Sequence, residues 1–167
     1  MKIAIIYGST GGNTQDVAKR IAAQLSGNDV QLFDVATVKP EVFDGYQNLI
    51  LGTSTTGIGD LQDDWDLFLP KLKKINLEGK IVALFGLGDS SSYSDSFVDS
   101  LGILHETVKE KGVTLIGQTS TEGYEYDSSR ADLGGTFAGL VIDEDNESDQ
   151  TDERIAAWVA DIQPQFQ

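Results

Sequence analysis

Apolar positions along the chain fall into short solid runs separated by longer stretches with a helical repeat. Lys2 to Tyr7 (KIAIIY) is apolar on both faces, the pattern of a strand in the middle of a parallel sheet. In the stretch TQDVAKRIAAQLSG that follows, Val17, Ile21 and Leu25 recur every fourth position, which predicts a helix stopped at Gly27. Asp29 to Val35 is a weaker, alternating strand. Asn48 to Thr53 (NLILGT) and Lys80 to Gly86 (KIVALFG) are two more buried strands, and Val113 to Gly117 is a fifth. Between them, Asp63 to Lys74 (DDWDLFLPKLKK) predicts a helix that Pro70 bends or divides. Ser96 to Lys111 predicts another, with Phe97, Leu101, Leu104 and Val108 on one face and Gly112 as its stop. Thr151 to Ile162 is the last helix, with Thr151 as N-cap and Asp152 and Glu153 complementing the helix dipole.

Strands alternating with helices predict an α/β fold: a doubly wound five-stranded parallel sheet with helices on both faces. One segment breaks the rhythm. Gln118 to Gly135 (QTSTEGYEYDSSRADLGG) is polar and separates two apolar pieces, VTLIG and FAGLVID. It reads as an insertion that interrupts or doubles the last strand, so residues 1–167 are expected to form one domain. A chain of 167 residues buries roughly two thirds of its unfolded surface and can fold without staples.

Composition narrows the function classes. Twelve Lys and Arg face 27 Asp and Glu, a formal net charge of -15. Binding to a nucleic-acid backbone needs the opposite sign and is excluded. The absence of cysteine removes disulfides and thiolate metal sites. No run approaches the ~20 apolar residues that span a bilayer, and the start MKIAIIYGS lacks the features of a signal peptide. The expectation is a cytoplasmic protein with no membrane partner.

Ligands of doubly wound sheets bind beyond the carboxyl ends of the strands. Three loops fall there. YGSTGGNT, Tyr7 to Thr14, ends the first strand and opens the first helix. Unpaired N–H groups at a helix N-terminus attract anions, and the hydroxyls of Ser9, Thr10 and Thr14 can donate further bonds. The loop lacks the Lys of a nucleoside-triphosphate loop and the spacing of a dinucleotide fingerprint, so a single terminal phosphate suits it. TSTTGIGDLQDDW (Thr53 to Trp65) and GLGDSSSYSDSF (Gly86 to Phe97) follow the third and fourth strands, and the second presents Tyr93. Three such loops with one aromatic describe a site for a planar ring with a phosphate tail.

On these residues the chain resembles a flavodoxin of the long-chain type. The likeness runs from Lys2 to the last helix, through YGSTGGNT, LGTSTTGIGDLQDDW, VALFGLGD with Tyr93, STEGYEYDSS and FAGLVIDEDNESDQTDERIAAWV. The resemblance implies strand order 2-1-3-4-5, an example of that order being this very family, and non-covalently bound FMN. It implies that Ser9, Thr10, Gly11, Gly12, Asn13 and Thr14 hold the phosphate. Ser54, Thr55, Thr56, Gly57, Ile58 and Gly59 would lie beside the N5 edge of the flavin. Leu87, Gly88, Asp89 and Tyr93, with Ser96 following, would form the loop on the other face, and Asp145 would stand on the ribityl side.

Two departures matter. Many members carry an aromatic, usually Trp, where this chain has Thr56, and Gly11 stands where Thr is common. A lost stacked aromatic weakens ring binding by about 0.5–1.5 kcal/mol, unless Ile58 or Leu61 covers that face. The implied function is a low-potential one-electron carrier, not an enzyme, shuttling between semiquinone and hydroquinone. In it the Gly57 carbonyl would accept a hydrogen bond from N5–H, and the acidic surroundings would oppose a second negative charge. Asp60, Asp63, Asp64 and Asp95 would steer basic-surfaced redox partners to a monomeric carrier. An FMN-dependent quinone or NAD(P)H oxidoreductase on the same fold is the alternative, and a module that has lost its flavin is a third reading. His105, the only histidine, is expected on a helix away from the loops, and Trp65 and Trp158 in the core. Asp143 to Arg154 faintly resembles a calcium loop, but Ser148 and Arg154 stand where Gly and Glu are required.

Overall fold

The computed structural model describes residues 1–167. In chain order it contains β1 (Lys2–Gly8), α1 (Asn13–Gln24), β2 (Asp29–Asp34), β3 (Asn48–Thr56), β4 (Asp60–Leu61), α2 (Asp63–Lys74) and β5 (Ile81–Leu87). There follow α3 (Asp99–Val108), β6 (Thr114–Ile116), β7 (Thr119–Ser120), β8 (Thr136–Phe137), β9 (Leu140–Ile142), α4 (Glu144–Glu147) and α5 (Thr151–Ile162). The main sheet runs β2-β1-β3-β5-β6, all parallel. Counting the five expected strands, this is the order 2-1-3-4-5.

The fifth strand comes in two pieces on the same neighbour. Ile81 to Ala83 of β5 pair with Thr114 to Ile116, and Phe85 to Leu87 pair with Leu140 to Ile142. The polar segment between those pieces leaves the sheet, forms the small antiparallel pair β7–β8, and returns. The interruption read from the sequence is therefore real, and its cause is compositional: a polar, Gly- and Ser-rich stretch has no run of apolar side chains with which to continue a strand packed under helices.

Because the sheet is parallel, both faces are covered. Val17 and Ile21 of α1 and Ile155, Trp158 and Ile162 of α5 bury one face. Trp65, Phe68 and Leu72 of α2 and Leu101, Leu104 and Val108 of α3 bury the other. Burial of these side chains supplies the main driving force, about 1.5–3 kcal/mol for each large one.

Three local expectations are corrected. Pro70 does not divide α2, which is continuous from Asp63 to Lys74, since its apolar face is anchored on both sides of the proline by Trp65, Phe68 and Leu72. The third helix starts at Asp99, not Ser96: Ser94–Ser96 form one 3₁₀ turn and Val98 adopts a left-handed conformation that breaks the helix. Thr151 is not an N-cap. The 3₁₀ turn Ser148–Gln150 feeds straight into α5, so Thr151 is already helical and its hydroxyl is buried without a partner.

Candidate functional site

The carboxyl ends of β1, β3 and β5 deliver their loops to one edge of the sheet, around a cavity of about 210 Å³. Ser9, Gly11, Asn13 and Thr14 line it from the first loop, Ser54 and Thr55 from the second. Leu87, Gly88, Asp89, Tyr93 and Ser96 line it from the third, and Asp145 closes it from α4. Phe97, Val98 and Glu144 also line it. The sequence reading missed these three. The helical repeat through Phe97 concealed the turn, while Glu144 could have been found from its neighbour Asp145.

The first loop is an array of donors. Gly12, at φ 95°, is the residue from which α1 starts, and its N–H is held by Ser9 Oγ at 3.0 Å. The N–H groups of Thr10, Gly11, Asn13, Thr14 and Gln15 have no hydrogen-bond partner within the chain. Gly11 has nothing within 4 Å of where a Cβ would stand. Such a cluster at a helix N-terminus attracts an anion, and no Lys or Arg lines the cavity. Thr10 is turned elsewhere: its hydroxyl accepts from Gln62 Nε2 at 3.3 Å. Gln62 in turn caps α2, its Oε1 accepting the N–H groups of Asp64 and Trp65 at 3.1 Å each.

The second loop is a hairpin. β3 extends to Thr56 and returns as β4, with Thr55 opposite Leu61 and Thr56 opposite Asp60. Gly57 and Gly59 at the turn have φ of 51° and 85°, values L side chains rarely adopt. Thr55 faces the cavity, so alternation along the strand turns Thr56 into a separate depression with Asp60, Asp63 and Asp66. Gly57, Ile58 and Gly59 do not line the cavity either. Leu61 packs into the core and is not free to cover a ligand face, whereas Ile58 at the tip is 83% exposed.

The third loop is tied by carboxylates. Asp89 Oδ1 accepts the N–H groups of Ser92 and Ser91 at 3.0 and 3.2 Å and the amide of Asn146 at 2.8 Å. These bonds, the one from Ser92 foremost, hold its carboxyl below the usual aspartate range. Buried Asp143 accepts from Ser90 N–H and from the backbone N–H of Asn146, both at 3.2 Å, linking this loop to α4. Asp145 is pushed the other way, upward, first by desolvation and then by the charges of Asp89, Asp143 and Glu144. Tyr93 stands 45% exposed at the rim. The hydroxyl of Ser96 is buried and has no partner in the protein.

His105 is half-buried on α3 and does not line the cavity. Trp65 and Trp158 are core residues, as expected. Unpartnered donors at one end, an exposed aromatic rim and an orphan hydroxyl together fit a flat polar ligand with an anionic tail.

Comparison with known proteins agrees. The family model described as Flavodoxin matches residues 5–158. The flavodoxin of Trichodesmium erythraeum (strain IMS101) is 44% identical over 167 residues, covering 99% of this chain and 98% of its own length. That of Helicobacter pylori (strain ATCC 700392 / 26695) is 42% identical over 165 residues, with coverage of 99% and 98%. Among solved structures, Fusobacterium nucleatum flavodoxin bound to flavin mononucleotide is 33% identical, with a TM-score of 0.94 and 99% of each chain covered.

Proposed function

The chain belongs to the flavodoxin family, and from that premise we propose which of its residues hold the cofactor and tune it. The protein is an FMN-dependent electron carrier rather than an enzyme. Bound FMN supplies the electron-accepting ring, and the protein's part is binding, orientation and electrostatics. The observation that carries the assignment is the cluster of unpartnered N–H groups of Thr10, Gly11, Asn13, Thr14 and Gln15 beside a cavity rimmed by Tyr93.

In this reading the loop Ser9–Thr14 binds the phosphate through backbone N–H groups and hydroxyls, with neutral donors only. Ser54 and Thr55 flank the ring on one side. Leu87, Gly88, Asp89 and Tyr93 bound it on the other, with the Ser96 hydroxyl as a polar contact. Asp145 stands on the ribityl side. The hairpin Thr56–Gly59 would border N5 from outside the cavity, and the Gly57 carbonyl would accept a hydrogen bond from an N–H at that position. Gly57 is at φ 51°, so the peptide can reorient without the cost a side chain would impose.

Glu144, Asp145 and Asp89 line the cavity, and no Lys or Arg lines it with them; Arg20, outside the lining, reaches Glu144 at 3.5 Å. A unit charge ~8 Å from another costs about 2 kcal/mol at an effective dielectric of ~20. Carboxylates so placed disfavour the fully reduced, anionic ring, which makes the carrier a low-potential one. The acidic residues Asp60, Asp63, Asp64 and Asp95 favour encounter with basic-surfaced reductases and acceptors. Work in the cytoplasm, as a monomer folded as one domain over 1–167, belongs to the same proposal. No helix is long and apolar enough to cross a membrane. The oxidoreductase alternative is not favoured: it calls for basic residues near the ring to hold a nicotinamide nucleotide, and none lines the cavity.

Stepwise anaerobic photoreduction, followed by visible spectroscopy, tests the function. A yellow protein that passes through a distinct long-wavelength absorbance at half reduction before bleaching is the expected result. Bleaching in one two-electron step would favour the oxidoreductase.

A further inference from the structure

Val98 is the one residue other than glycine with positive φ, at 48° with ψ 32°. For a β-branched residue this is a strained conformation, which persists only where the surroundings over-determine it. Here they do so on both sides. Upstream, the Ser94 carbonyl accepts the N–H groups of Asp127 and Ser128 at 2.9 and 3.0 Å, and Phe97 N–H donates to Ser128 O at 3.2 Å. Downstream, Asp99 Oδ1 accepts Arg130 N–H at 2.8 Å, and the hydroxyls of Ser100 and Thr55 meet at 2.7 Å. All but the last of these clamps come from the segment inserted between β6 and β9.

Val98 itself is fully buried and lines the cavity. A Cβ on Gly88 would stand 2.9 Å from Val98 Cγ1, so its side chain closes the wall tightly against the loop after β5. Ser96, with its partnerless hydroxyl, lies two residues before the turn.

We propose that the left-handed turn at Val98 is a positioning device for the flavin ring. The inserted segment holds the turn strained, so that the wall from Ser96 to Val98 stands in place before the ligand arrives. The proposal rests on the cofactor reading above. If φ at Val98 relaxes, the chain before it is redirected, and ligand binds only the fraction of molecules whose wall is still formed. Apparent affinity then falls in proportion to that fraction. The phosphate loop Ser9–Thr14, carried by β1 and α1, shares none of these clamps.

The test is titration of the apoprotein with FMN, riboflavin and inorganic phosphate, for the wild type, Val98→Gly and Asp99→Ala. Val98→Gly widens the backbone conformations open to that residue and removes the side chain that closes the wall. Asp99→Ala removes one clamp while leaving Val98 and every cavity-lining side chain intact, so the outcome does not hang on whether the glycine variant folds. Both variants are expected to bind FMN and riboflavin about tenfold more weakly, with phosphate affinity kept within about twofold. Unchanged flavin affinity in a folded variant would overturn the proposal. A parallel loss of phosphate affinity would also overturn it, by making Val98 a general structural residue. A wild type that bound phosphate and neither flavin would instead defeat the cofactor reading, and the positioning role with it.

Discussion

Trp65 donates its indole N–H to the carbonyl oxygen of Gly52 at 2.7 Å, in the buried interior. The bond joins the first turn of α2 to the strand that ends in the cavity wall. Its donor residue is also the one whose N–H is capped by Gln62, the partner of Thr10. The core and the first two loops of the site are thus mechanically one unit.

Trp65→Phe removes this donor and opens a void where the indole was fully buried. The variant should lose about 2–4 kcal/mol of stability. Urea denaturation of the apoprotein checks it, and a loss under about 0.5 kcal/mol would mean that the interior repacks around the phenyl ring.

Gly57→Pro locks φ near about -65° where the structure has a positive value. If the Gly57 carbonyl accepts the hydrogen bond from N5–H, the potential of the first one-electron step becomes more negative in this variant, while affinity for oxidised FMN changes less. Spectroelectrochemistry separates the two steps. Potentials equal to those of the wild type would assign the hydrogen-bond acceptor elsewhere.

Asp145 predicts a pH signature. Its folded-state carboxyl ionises above the ordinary aspartate value of 3.8, because of desolvation and of Asp89, Asp143 and Glu144. The unfolded chain then holds fewer protons than the folded one between the two pKa values, so this residue lowers stability as pH rises through that window. Asp145→Asn should therefore stabilise the apoprotein at neutral pH, with the gain vanishing as pH falls below 3.8. Thermal melts from pH 3 to 8 would expose a gain that did not vary, which would rule out titration as its cause.

His105 acts in the opposite sense. Burial lowers its pKa from the ordinary 6.5, with Lys109 adding to the shift and Glu106 opposing it. Below 6.5 the unfolded chain takes a proton the folded one refuses, so stability present above 6.5 is lost as pH falls toward the folded value. His105→Asn should flatten this dependence between pH 7 and 5. Chemical denaturation at several pH values gives the slope, and an unchanged slope would place the titrating group elsewhere.

Most of the architecture was legible in the sequence because each buried strand is a solid apolar run and each loop a polar one. The break in the fifth strand was legible for the same reason. The start of α3 was not: Phe97, Leu101 and Leu104 keep a helical spacing straight through the turn at Val98, which hydrogen bonds from a distant segment impose. Within the hairpin, the sequence does not tell which side chains face the cavity. Thr55 and Thr56 are adjacent, and only the register of β3 against β4 decides which of them meets the cavity. The engagement of Thr10 with Gln62 was not legible either, since it spans 52 positions.

The divided fifth strand has a consequence for the protein in crowded surroundings. A sheet's outer strand exposes unpaired N–H and C=O groups and can recruit another chain, the first step toward aggregation. Here that border is cut into two three-residue pieces, Thr114–Ile116 and Leu140–Ile142, with a folded excursion projecting between them. The opposite border, Asp29–Asp34, begins and ends in a carboxylate. Neither side offers a long, flat, uncharged template, so the sheet is guarded against edge-to-edge polymerisation even when its flavin is absent.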